Sequence, residues 1–217
     1  MKRSFDLFGA IIGLLVCWPL LLVAAVLIKL DSPGHVIFKQ ERIGRGFRSF
    51  FIYKFRTMVS DSPQKGGALT ASGDPRITRV GKFLRQTKLD ELPQLINVLK
   101  GDMSLVGPRP EVRKYVELFR KEYGTILTVR PGLTDFASLK YRDESAILAA
   151  AENPEAEYIR FILPDKLRLA EDYVKRASLA LDLRLIFQTL LKLLPRQSAP
   201  DTAHSDSSSV SSFRGGV

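Results

Sequence analysis

Two adjacent carboxylates, Asp90 and Glu91, stand just ahead of a run in which Leu92, Leu95, Ile96 and Leu99 recur at i, i+3, i+4 and i+7. That spacing predicts a helix that begins near Asp90 and stops at Gly101, with Pro93 tolerated in its first turn. Unpaired N–H groups and the dipole at a helix start favour carboxylates and phosphates alike, so the pair reads either as capping groups or as functional carboxylates beside a phosphate. Basic residues cluster at three other places. Lys54 and Arg56 close a strand-like stretch, Arg109 lies between Pro108 and Pro110, and Arg142 precedes Asp143 and Glu144. Solvated strand ends, a rigid Gly-Pro turn and a surface charge cluster are the plain alternatives for these three. Asp182 is open in the same way, because a salt bridge near Arg184 would explain it.

The elements that must position these residues follow from periodicity. Residues 35–58 alternate β-branched or aromatic residues with charges around Gly44-Arg45-Gly46, which predicts a β-hairpin. Asp74-Pro75 predicts a helix start after the turn-rich loop at residues 60–74, and Ile77, Val80, Phe83 and Leu84 give that helix an apolar face. Residues 165–194 form a last long segment with Leu179, Leu183, Ile186, Phe187, Leu190 and Leu194 on one face. Such a helix either packs on the core or lies in a membrane interface, with Arg184, Lys192 and Arg196 toward headgroups. The fold class expected is α+β.

A chain of 217 residues, 45% hydrophobic, can bury one sizeable core. The division expected is a membrane-embedded helix over residues 1–31, a catalytic domain over 32–195, and a disordered Ser-rich tail over 196–217. With 33 Lys and Arg against 23 Asp and Glu, the net charge of +10 favours anionic partners. No DNA- or RNA-binding module is recognisable, which argues against a membrane-anchored nucleic-acid-binding protein. One cysteine and two histidines exclude an internal disulfide framework and a Cys/His zinc site.

Residues 7–28 carry no charge and are long enough as a helix to cross a hydrocarbon core of roughly 30 Å. The run is too long for a typical signal-peptide core. A spanning anchor and a re-entrant segment both remain open on hydropathy. Pro19, at mid-run, removes a backbone donor and predicts a break, and basic residues at both ends suit two ends on one face.

The run LDELPQLINVLKGDMSLVGPRP at residues 89–110 closely resembles the signature of the bacterial sugar transferase family, the monotopic phosphoglycosyl transferases. YKFRTM at residues 53–58 resembles the family's basic strand motif, and VRPGLT at residues 129–134 its Pro-Gly turn. Lys2, Arg3, Phe5 and Asp6 before the Pro-interrupted apolar run are similar too. The segment from Asp135 to Leu139 departs from the family's commoner Gly-Leu or Gly-Trp followed by Ala-Gln-Val.

The resemblance implies a small membrane-associated catalytic domain with a re-entrant N-terminal helix and interfacial amphipathic helices. It implies transfer of a phosphosugar from a UDP-sugar to polyprenyl (undecaprenyl) phosphate, with release of UMP. Asp90 is then the nucleophile, forming an aspartyl phosphosugar, and Asp90 and Glu91 bind Mg²⁺. Lys54, Pro108, Arg109, Pro110, Arg142 and Asp182 are the implied substrate-binding residues. The location implied is the bacterial inner membrane, with the catalytic domain on its cytoplasmic face. Expected partners are the two substrates, membrane lipids and other enzymes of a glycan pathway, with no nucleic acid. A catalytically inactive scaffold of such a pathway is the competing reading.

The chemistry suits the residues. A diphosphate repels an anionic nucleophile until Mg²⁺ and basic groups neutralise it. Mg²⁺ takes few protein carboxylates, and a guanidinium held between prolines offers phosphate a planar fork.

Overall fold

The computed structural model describes residues 1–59 and 73–193. Expectations for the loop over residues 60–72, for Leu194 and for the tail fall outside the described residues. The architecture is α+β, with many short helices around two small sheets.

Helix α1 (Lys2–Asp31) is one uninterrupted helix of 30 residues with Pro19 inside it, so the expected break is not an interruption of the helix. Pro19 can remove only its own N–H from the ladder, and the turns on either side keep theirs. By length and composition α1 could cross a membrane. Only Asp6, Ala10, Ala24 and Ile28 along it are buried, while Phe8, Leu15, Val16, Trp18, Leu22 and Leu30 are exposed. An apolar surface this extensive does not suit water, and it fits association with a membrane.

Both ends of α1 are tied to the rest of the chain. Asp6, fully buried, accepts from Ser104 Oγ at 2.9 Å and from the Leu105 N–H at 3.1 Å. Arg3 caps carbonyls of Val98 and Leu99. At the far end Arg56 donates to the carbonyls of Ser32 (2.6 Å) and Pro33 (2.7 Å), and Asp31 accepts from the Val80 N–H at 3.0 Å.

The hairpin forms as expected: β1 (Ile37–Ile43) pairs antiparallel with β2 (Ser49–Phe55). Helix α2 (Arg79–Thr87) starts later than Asp74-Pro75 predicted. Asp74 uses its carboxylate on the Arg76 backbone and guanidinium, closing a turn, and Thr78 is the N-cap that accepts from Gly81. Helix α3 (Gln94–Lys100) stops at Gly101, whose φ of 90° suits glycine. Its buried face holds Gln94, Leu95, Asn97 and Val98, whereas Ile96 is exposed, contrary to the apolar periodicity.

Strand β3 (Ser104–Val106) pairs in parallel with β4 (Gly132–Thr134), a contact that joins two motifs distant in sequence. Gly107 and Gly132 pass so closely that a Cβ on Gly132 would fall 2.0 Å from the Gly107 nitrogen. Helices α4 (Arg113–Leu118) and α5 (Arg120–Ile126) connect the two strands. After β4 come α6 (Phe136–Lys140), α7 (Glu144–Ala149) and α8 (Pro154–Glu157), and a wider turn leads into α9 (Leu163–Arg176). The main core packs Tyr115, Tyr123, Ile126, Tyr158, Leu163 and Leu167 between α4, α5 and α9.

The last segment is two helices rather than one. The chain turns at Ala177, where ψ is 120°, and α10 (Leu179–Leu193) restarts with Ser178 accepting from the Leu181 N–H. Leu179, Leu183, Phe187 and Leu190 point outward, and Leu185 is buried.

Candidate active site

Asp90 and Glu91 lie in a single 3₁₀ turn (Leu89–Glu91) just before Pro93 and α3. Lys88, in the left-handed region at φ 59°, makes the abrupt turn from α2 into it, a conformation unfavourable for a side-chain-bearing residue. The turn sends the two neighbouring carboxylates into different surroundings. Asp90 is 8% exposed, and its Oδ1 is buried without a hydrogen-bond partner.

Glu91 is fully engaged. Lys54 Nζ donates to its Oε1 at 3.0 Å, Arg109 Nη1 donates to its Oε2 at 3.0 Å, and Arg109 Nη2 also reaches Oε1. Three devices hold these cations in place. Asn97 donates to the Phe51 carbonyl at 2.7 Å and accepts from the Tyr53 N–H at 3.0 Å, which pins strand β2, and with it Lys54, to α3. Asp135 accepts from the Arg109 N–H at 3.1 Å and, with its other oxygen, from the Ser138 N–H at 2.7 Å. On the far side of Arg109, Arg42 donates to the Pro110 carbonyl at 3.3 Å and to Glu111 at 2.7 Å, and Tyr158 donates to Glu111 at 2.5 Å.

Burial pushes the Asp90 carboxyl up to about 6 from its ordinary 3.8; the Glu91 charge adds to the rise, and Lys54, Arg85 and Lys88 pull against it. Burial also acts on Glu91, but the charges of Arg109 and Lys54 outweigh it and hold that carboxyl well below the usual range. Desolvation lowers Lys54 and Arg85, while Glu91 raises Arg109. Environments that separate two neighbouring carboxyls in this way are a mark of functional sites. Lys54, Arg85, Lys88 and Arg109 together place four cations around two carboxylates, a local excess of positive charge suited to a diphosphate.

These groups line a cavity of about 1510 Å³. Lys54, Pro108, Arg109, Pro110 and Arg142 line it together with Asp90 and Glu91. Asp182 does not. It is buried, bridged to Lys2 Nζ at 2.5 Å, and accepts from Tyr173 Oη at 2.7 Å. Sequence reasoning missed Asp135 and Arg85. The signal for Asp135 was Asp-x-x-Ser ahead of a short apolar turn, the pattern of a helix cap. Arg85 carried none, since a lone arginine on an amphipathic helix reads as solvated.

Among the described residues no group of three or more His, Cys, Asp or Glu could hold a metal ion by itself. The donor set nonetheless suits Mg²⁺ bound with phosphate oxygens, because Asp90 keeps a buried oxygen unpartnered beside Glu91.

The family model of the bacterial sugar transferases matches residues 1–196. The chain is 42% identical over 199 residues to the UDP-N-acetylgalactosamine-undecaprenyl-phosphate N-acetylgalactosaminephosphotransferase of Aeromonas hydrophila, covering 89% of this chain and 44% of that protein. It is 41% identical over 206 residues to the exopolysaccharide production protein PSS of Rhizobium leguminosarum bv. phaseoli, covering 90% of this chain and 96% of that protein. With the UDP-glucose:undecaprenyl-phosphate glucose-1-phosphate transferase of Escherichia coli it shares 37% identity over 196 residues, 88% of this chain and 40% of that protein. The chain thus spans less than half of the first and third relatives and nearly all of the second.

Proposed function

The chain belongs to the bacterial sugar transferase family, and from that premise we propose that it moves a sugar 1-phosphate from a UDP-sugar onto undecaprenyl phosphate, the first membrane step of glycoconjugate assembly. The observation that carries this reading is the split of the Asp90–Glu91 pair. Asp90 keeps a buried, unpartnered carboxylate oxygen, whereas Glu91 is committed to Lys54 and Arg109.

A carboxylate with no hydrogen bond to break is a ready nucleophile. In the first step an Asp90 oxygen attacks the sugar-bearing phosphorus, the bond from that phosphorus to the bridging oxygen breaks, and UMP leaves. In the second an oxygen of the lipid phosphate attacks the same phosphorus, and the Asp90 carboxylate is restored as the leaving group. Glu91 serves as the anchor that keeps Lys54 and Arg109 facing the diphosphate. Arg142 lines the same cavity and is available to the donor from there. Asp90, whose buried oxygen is unpartnered, would hold Mg²⁺ together with phosphate oxygens, and the ion would neutralise charge on the diphosphate, while Glu91, committed to Lys54 and Arg109, would act on it through its charge.

The apolar exposure of α1 and α10 supports a protein seated in a membrane; the reading places it in the inner membrane with its catalytic domain on the cytoplasmic face, where a UDP-sugar is at hand. The attachment of both ends of α1 to one domain supports a re-entrant disposition. The test is incubation with a panel of UDP-sugars and Mg²⁺ without acceptor. We expect about one UMP per site and a phosphosugar mass on the Asp90 peptide. An adduct on Glu91, or UMP appearing only after lipid phosphate is added, would overturn the assignment.

A further inference from the structure

The cavity is not uniform. Beyond the charged end it runs along one face of α1, formed by Phe5, Gly9, Ile12 and Val16, and meets Ile186 and Leu190 of α10. The geometry of the two helices explains this. Both start at one junction, where Lys2 bridges Asp182 and Tyr173 and also reaches the Val106 carbonyl at 3.1 Å. From there α1 passes over β3 toward α3, with Gly9 against Leu105 and Gly13 against Leu95. Helix α10 instead passes over β4 toward α6, with Thr189 Oγ1 at 2.6 Å from Thr134 Oγ1 and Lys192 donating to the Leu139 carbonyl.

The helices therefore diverge, and Leu105 and Leu133 floor the wedge between them. Its walls include side chains that are largely exposed, Val16 at 71% and Leu190 at 58%. The strands beneath it, β3 and β4, lead directly into Arg109 and Asp135.

We propose that this wedge between α1 and α10 takes the isoprenoid chain of the lipid acceptor and points its phosphate toward Asp90. The proposal rests on the functional reading above. The wedge joins the charged end of the same cavity, so a ligand bound along it must be apolar along its length and anionic at its tip. It also opens between the two helices with the most exposed apolar surface, from which such a ligand would arrive.

The test uses the full chain in lipid nanodiscs and a polyprenyl phosphate carrying a benzophenone in its first isoprene units. Labelling should map to peptides containing Ile12, Val16 and Leu190, and unlabelled polyprenyl phosphate should compete with it. Val16→Asn and Leu190→Asn should lower labelling and raise the acceptor KM by about fivefold or more, as expected for loss of an apolar contact. Leu15→Asn and Phe187→Asn alter side chains of similar exposure, 68% and 62%, that do not line the wedge, and should label like wild type. Melting temperatures that match across the four variants show that folding is not the cause. Equal losses in all four, or labelling concentrated between residues 20 and 30, would overturn the proposal, because the helices would then merely seat the protein in lipid. Wild-type protein that labels in the wedge but releases no UMP from any UDP-sugar would leave the wedge standing and defeat the functional reading instead.

Discussion

Asp135 holds Arg109 by its backbone: one carboxylate oxygen accepts the Arg109 N–H at 3.1 Å while the other caps α6 through the Ser138 N–H at 2.7 Å. Arg109 is thereby locked in register with α6, on the side of the cavity that also carries Arg142. We predict that Asp135→Ala lowers kcat/KM for the UDP-sugar by about tenfold or more through misplacement of the guanidinium. Asp135→Asn, which keeps one acceptor, should recover part of that loss. Donor KM against kcat, measured for both variants beside their melting temperatures, separates positioning from stability. An Asn variant no better than Ala at equal stability would count against the role.

Asp90→Asn should abolish turnover and make the protein more stable. Burial raises the folded-state carboxyl to about 6 from an ordinary 3.8. A raised carboxyl adds stability that is present below the unfolded value and is lost as pH rises through about 6. Above that pH the ionised Asp90 costs up to about 3 kcal/mol, the free-energy equivalent of the shift. The amide carries no charge to desolvate, so metal-free Asp90→Asn should melt several degrees higher than wild type at pH 7.5 and show little difference at pH 4. A variant that melts lower at pH 7.5 would contradict this.

Arg109→Ala should weaken donor binding and also destabilise the fold. Truncation leaves the Glu91 carboxylate, 15% exposed, with Lys54 as its remaining ion-pair partner among the described residues. Losing one partner of a buried pair costs about 3 to 5 kcal/mol, and the partial exposure of Arg109 reduces that to about 1 to 3 kcal/mol. Arg109→Lys should restore stability better than activity, because an ammonium keeps the charge and loses the two-pronged contact. Equal recovery of both would show that charge alone matters there.

The parts of this site legible in the sequence were those set by local chemistry. The hairpin announced itself by alternation around Gly44 and Gly46, and the turn at Asp90 by its position before an apolar run that ends at Gly101. Pairings between distant segments left no such trace. Strands β3 and β4 are three residues each, too short for a periodic signal, and their contact depends on Gly107 and Gly132 meeting across 25 positions. Asn97 is wholly buried and Ile96 exposed because α3 needs an amide to bond the edge of β2. Periodicity counts only apolar residues, so it placed Leu95 and Leu99 against the core but put Ile96 where Asn97 belongs. Asp182 found Lys2, 180 positions away, rather than the neighbourhood of Arg184.

Deletion of residues 197–217 should leave donor turnover and membrane association nearly unchanged. The family match ends at residue 196, and the segment is rich in serine with little to bury. Turnover lost from a truncated protein that still folds would reveal a role for the tail.

Helix α1 should have both ends on the same face of the membrane. A spanning helix puts its ends on opposite sides of a hydrocarbon core roughly 30 Å thick. Here the first turn meets Val98, Leu99, Ser104, Val106 and Asp182, while the last meets Arg56 and Val80. These partners belong to one packed domain that carries buried charges at both contacts, Asp6 and Asp182 at one end and Arg56 at the other. Placing either contact across the bilayer would break those bonds and strand charges in hydrocarbon. In a Cys17→Ser background, cysteines at Ser4 and at His35, both exposed, should react with a membrane-impermeant maleimide only from the cytoplasmic side. Pro19→Leu, which restores a backbone donor at mid-helix, should favour a spanning disposition and move the Ser4 probe toward periplasmic labelling, with a matching loss of turnover. Periplasmic labelling of the Ser4 probe with Pro19 intact would show that α1 spans.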